Sequence, residues 1–94
     1  MKAVLLAHER SIRFGWVDDD QDMLATSVHL RNARTLIRYR TAHKGRGGLG
    51  ALVRGGPTPD DALEDPADCF CSGVYVMWPI EPDVALKWEH HVNA

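Results

Sequence analysis

Apolar and polar positions alternate along much of this chain, and helical spacing is confined to short stretches. Lys2 to His8 is a short, mainly apolar run that predicts a strand. Ser11-Ile12-Arg13-Phe14-Gly15-Trp16-Val17 alternates strictly, which puts Ile12, Phe14 and Trp16 on one face. The polar run Asp18-Asp19-Asp20-Gln21-Asp22 predicts a turn able to close a hairpin. Strand character returns from Met23 to Leu30, with Thr26, Val28 and Leu30 aligned. Thr35 to Thr41 predicts a further strand, with Ile37 and Tyr39 on one face and Leu36, Arg38 and Arg40 on the other.

The pattern then changes. His43-Lys44-Gly45-Arg46-Gly47-Gly48 is a glycine-rich loop, and Leu49, Leu52 and Val53 have the spacing of one or two helical turns. Gly55-Gly56-Pro57 stops that helix. Pro57 to Asp68 is acidic and lacks a long apolar face, so it predicts a surface loop. Cys71 to Trp78 predicts a late strand, with Val74, Val76 and Trp78 on one face and Tyr75 and Met77 on the other. Glu81 to Val92 has acids early and Lys87, His90 and His91 late, which suits a helix dipole. Its apolar residues form no clean stripe, so a short helix and a mixed strand-and-helix tail both fit.

No long helical crossover separates the strands, which argues against a parallel sheet. The expected fold is α+β: a small antiparallel sheet or partly open barrel of four to five strands, with one short helix and an optional C-terminal helix. At 94 residues the chain is a single small domain, 1–94. A domain of this size buries only roughly 60% of its unfolded surface, so self-association is an expected source of stability. No apolar run reaches the roughly 20 residues a membrane helix needs, and the N-terminal run is too short for a signal-peptide core. A soluble, intracellular, homo-oligomeric protein with no membrane partner is expected.

Charge adds what the pattern cannot. The formal net charge is −2, but the charges are segregated. Residues 31–54 hold Arg31, Arg34, Arg38, Arg40, Lys44, Arg46 and Arg54 and no acid, whereas residues 55–94 hold eight acids and Lys87 alone. Such a block speaks of partners more than of fold. One reading pairs it with the acidic segment of the same molecule or a neighbouring copy. The other is an anion site, because guanidinium forks suit bidentate contact with phosphate. Overall acidity argues against a dedicated nucleic-acid binder and favours a compact anion with few phosphates.

Catalytic and metal chemistry find little support. The serines sit in no nucleophile context, the five histidines are scattered, and the paired carboxylates lie in acidic turns. The aspartate run lacks the glycine and distal glutamate of a calcium loop. Cys69 and Cys71 share a strand face, but with His90 and His91 they miss the spacings of zinc ligands, so reduced thiols are expected. Gly45-Arg46-Gly47-Gly48-Leu49-Gly50 matches G-x-G-x-x-G, yet a dinucleotide fold needs a much longer chain with parallel strands. What survives is a glycine loop ahead of a helix start, where backbone amides can approach a phosphate. No enzyme, no metal and no cofactor is expected.

The stretch Ser27 to Tyr39, with Val28-His29-Leu30-Arg31-Asn32-Ala33-Arg34 at its centre, resembles a family of small uncharacterised phage-encoded proteins. In that family a V-x-L-x-N-A-R strand leads into I-x-Y/W. A glycine, a short L-x-x-L helix, another glycine and a late Val/Ile-rich strand follow. Leu49 to Leu52, Gly55 and Val74 to Ile80 stand in matching places, while the glycines around Arg46 and the acidic loop depart from it. The resemblance implies a phage origin and carries no established activity. By analogy with other small phage inhibitors, the expected function is non-enzymatic anti-defence. The chain would bind and sequester a nucleotide-type immune signal, a cyclic nucleotide or an ADP-ribose derivative. Asn32 and Arg34 would contact a base or ribose, Arg38, Arg40 and Arg46 would take phosphates with Lys44 beside them, and Tyr39 would stack. The alternatives are a protein-interaction module that inhibits a host factor, and a minor phage structural protein.

Overall fold

A computed structural model of the chain describes residues 1–38 and 48–93. Six strands and two helices follow one another as β1 (Lys2–His8), β2 (Ser11–Val17), β3 (Val28–Arg38), α1 (Gly48–Gly55), β4 (Ala62–Leu63), β5 (Ala67–Cys71), β6 (Val74–Ile80) and α2 (Pro82–Glu89). The strands form one open sheet in the order β4-β3-β2-β1-β6, and β5 also pairs with β3. Every pairing is antiparallel. The fold is thus α+β with a sheet that does not close. Among the described residues no helix is long and apolar enough to cross a membrane.

Strict alternation in β1 and β2 sends side chains to two cores, one on each face of the sheet. The first holds Ala3, Leu5, Phe14 and Ile80 from the strands, covered by Leu52 of α1 and by Val84, Ala85 and Trp88 of α2. The second holds Val4, Leu6, Val17, Val28, Leu30, Ala33, Cys71, Val74 and Met77. Strands β5 and β6 are joined by Ser72 and Gly73 alone, and Val74 N donates to Thr26 O nearby. The β2–β3 connection supplies Met23 and Ala25 to the second core.

The strand expected from Met23 begins only at Val28. Before it, Gln21 N donates to Asp18 O and Leu24 N to the Asp22 carboxylate, local bonds that compete with strand pairing. From Val28 the strand then runs unbroken to Arg38, where two strands were expected. An extra residue near Asn32 makes this possible. Against β2, Phe14 and Trp16 face Arg34 and Arg31; against β5, Leu30 and Ala33 face Cys69 and Ala67. Asn32 sits at φ 50°, a left-handed conformation that asparagine tolerates better than most residues. The bulge reverses the alternation. Val28 and Leu30 point into the second core, but so does Ala33, while Leu36 packs on the first.

The acidic segment 57–68 is not one loop. Leu63 and Ala62 pair with Leu36 and Arg38, and Asn93 serves both backbone groups of Leu63 with its amide. The C-terminal segment resolves as a helix with Pro82 in its first turn. Its buried stripe is Val84, Ala85 and Trp88, whereas the larger Leu86 faces solvent. Helix α1 ends at Gly56 (φ 80°), whose N–H reaches Leu52 O at 2.9 Å. A Cβ there would stand 3.2 Å from Lys87 Cβ, so glycine also lets the two helices approach.

Candidate functional site

The described cations of the block on β3, Arg31, Arg34 and Arg38, do not converge on one place. Arg31 lies just before the bulge of β3 and Arg38 is its last residue, seven positions further on. Arg31 is engaged with the Asp18 carboxylate at 2.8 Å. Arg34 is 5% exposed and points into the protein. Its Nε donates to Glu64 O at 2.9 Å, and its Nη1 to Trp88 O at 2.9 Å and His91 O at 2.8 Å, with Glu89 O at 3.5 Å. Apart from Glu64 O, which follows β4, these carbonyls belong to the end of α2 and the residues after it, where an α-helix leaves acceptors unpaired and carries partial negative charge. Arg34, expected among the ligand-binding residues, therefore caps α2 from a strand, with its Nε and Nη1 donors on backbone carbonyls.

Asn32 is exposed at the bulge, and its backbone N–H is taken by the Asp68 carboxylate at 3.0 Å. Arg38 is exposed at the end of β3, where its Nε donates to Asp60 O at 3.0 Å. Its remaining guanidinium donors meet no carboxylate among the described residues. Tyr39, Arg40, Lys44 and Arg46 lie outside the described residues. Beyond them α1 begins with no acidic side chain in its first turn.

A second polar group, which the charge pattern does not reveal, surrounds Arg13. Its Nε donates to His8 Nε2 at 2.8 Å, and its Nη1 to Thr35 Oγ1 at 2.6 Å and Cys69 Sγ at 3.9 Å. His8 Nδ1 meets Ser72 O at 3.2 Å. A carbonyl can only accept, so Nδ1 carries the proton, Nε2 accepts from Arg13, and the imidazole is neutral. Cys69 and Cys71 are both free thiols, with sulfurs 3.7 Å apart. The signal in the sequence was the i, i+2 spacing of the cysteines. Nothing there tied them to Arg13, which the bulged β3 brings across from β2.

Burial pushes the Cys71 thiol from its ordinary 9.0 up to about 12. The hydrogen bond with Cys69 and repulsion between the two sulfurs add to the shift, and the Arg13 charge opposes it. A thiol held above its ordinary value favours the folded protein while it is protonated. Stability is therefore complete below about pH 9 and falls between pH 9 and 12, by at most about 1.4 kcal/mol per pH unit. Urea unfolding across this range should show that slope in the wild type and its reduction in Cys71→Ala.

No family model, no curated protein and no solved structure matches this chain.

Proposed function

We propose that this chain is a non-enzymatic binding protein that captures and sequesters a phosphate-bearing nucleotide ligand at the connection between β3 and α1. The observation that carries this reading is the acid-free run of cations that starts at exposed Arg38, continues through Arg40, Lys44 and Arg46, and reaches Arg54 in α1. Guanidinium groups without carboxylate partners favour phosphate oxygens, and the start of α1 adds positive potential. Tyr39 offers a ring for base stacking. Arg34 is committed to the carbonyls of α2, and Asn32 lies some six residues up the strand, so neither belongs to this set. In the phage setting that the resemblance implies, the ligand is a host immune signal, a cyclic nucleotide or an ADP-ribose derivative. The protein would act as a homo-oligomer in the host cytoplasm.

Calorimetry with a panel of such nucleotides is the test. Micromolar or tighter binding is expected, weakened about tenfold or more by Arg38→Glu, a loss of at least ~1.4 kcal/mol. Silence of the whole panel at micromolar protein, or equal affinity in the variant, overturns the reading.

A different observation favours protein docking. Phe70 is 83% exposed and stacks on His29 across β3 and β5, with ring centroids 4.2 Å apart. Exposed aromatic anchors are enriched at protein interfaces. A stoichiometric host partner that survives nuclease treatment would mark that reading.

A further inference from the structure

We propose that Cys69 and Cys71 form a two-coordinate thiolate site for Cu(I), set against the guanidinium of Arg13. Both sulfurs lie on one face of β5 and stand 3.7 Å apart. Two sulfurs bound to one ion at ~2.3 Å stand at most ~4.6 Å apart, the linear arrangement of a two-coordinate ion, so the pair is within reach of a single ion once the side chains open by under about 1 Å. Cys69 is half-buried and Cys71 buried, so an ion reaches the pair by way of Cys69 and displaces the Cys71 proton on binding.

Coordination number and charge choose the ion. Among the described residues no three His, Cys, Asp or Glu side chains converge as a metal would need. The His8 ring is occupied on both nitrogens, by Ser72 O and by Arg13. The protein thus offers two soft ligands, which satisfy Cu(I), whereas zinc calls for four. Arg13 supplies the second argument. Its partners are a neutral imidazole, a hydroxyl and a thiol, and no carboxylate pairs with it among the described residues. A half-buried cation with neutral partners lacks a counter-charge. Cu(I) held by two thiolates carries one net negative charge, which the guanidinium offsets. Zn(II) on the same two ligands is neutral and leaves Arg13 unopposed.

On binding, two S–H bonds are exchanged for two S–Cu bonds and both protons leave to solvent, with no change of oxidation state. A disulfide is the weaker use of the pair. The Cα atoms of an extended i, i+2 pair stand roughly 6.7 Å apart, at the upper limit for that bond.

The test is anaerobic competition between the reduced protein and bicinchoninate for Cu(I) at neutral pH. The wild type should withdraw one Cu(I) per chain from the chelator. Cys69→Ser, at the half-buried position, should bind about a hundredfold more weakly while its circular dichroism matches wild type. Arg13→Gln should keep one Cu(I) per chain with affinity about tenfold lower, as for other groups that tune a site without ligating. Failure of the wild type to compete, unchanged affinity in Cys69→Ser, or tighter binding of Zn(II) than of Cu(I) would each overturn the proposal.

Discussion

Arg34→Ala is expected to cost about 3–5 kcal/mol of folding stability. The change removes a guanidinium that serves four backbone carbonyls at once, and leaves the buried Trp88 carbonyl and three part-buried ones without their donor. Total stability for a domain of this length is on the order of 5–14 kcal/mol, so the loss is a large share of it. Arg34→Lys should recover little, because an ammonium is a compact charge and cannot span acceptors on β4's flank and beyond α2 together. Arg34→Met separates two explanations. If the arginine mattered mainly for its hydrophobic stem, methionine would be nearly neutral. Because the carbonyls are the partners that lose most, methionine should remain close to alanine in urea denaturation. A methionine variant within about 1 kcal/mol of wild type would dismiss the capping role.

Trp88→Ala should cost a similar amount, about 3–5 kcal/mol. Trp88 is fully buried and lies flat on Phe14, with ring centroids 5.3 Å apart and an interplanar angle of 1°. Phe14 in turn meets Trp16 edge-on at 6.1 Å. The three rings link α2 to the middle of the sheet, so truncation opens a cavity beneath the helix that also carries Arg34's acceptors. Trp88→Phe is expected to cost far less. The indole Nε1 of Trp88 is buried with no hydrogen-bond partner among the described residues, so phenylalanine removes an unsatisfied donor along with some contact. Chemical denaturation of the two variants side by side decides the matter. Equal losses would mean that the full volume of the indole, rather than a ring stacked on Phe14, holds the helix.

The particular elements show what pattern reading could reach. Strands β1 and β2 and helix α1 were legible because alternation and glycine stops act locally. Strand β3 was legible only in pieces. Its bulge at Asn32 reverses the alternation, and no local signal announces a reversal that both neighbouring strands have to accommodate. Arg34 was misplaced for the same reason. An arginine in an alternating strand reads as solvated, and its true partners lie some thirty to sixty residues away, at Glu64 and beyond Trp88. Strand β4 holds two residues and owes its pairing to β3 and to the amide of Asn93. Helix α2 hid behind its own exposed leucine, since a small alanine completes the buried stripe. The charge block was legible as composition, but of its cations only Arg31, Arg34, Arg38 and Arg54 lie among the described residues.

The pairing of β1 with β6 sets Ala3 against Ile80, nearly the full length of the described chain. The β1–β2 hairpin can assemble from neighbouring residues, but the sheet gains its last strand only after a long loop has closed, with the entropy of closure met before any contact rewards it. Assembly of this molecule is therefore limited by topology rather than by local propensity. It belongs with the slow, β-rich folders, on the order of milliseconds to seconds. While β6 is still searching, the apolar edge of β1 stays open to strangers, and crowding at high expression is where that exposure would first be felt.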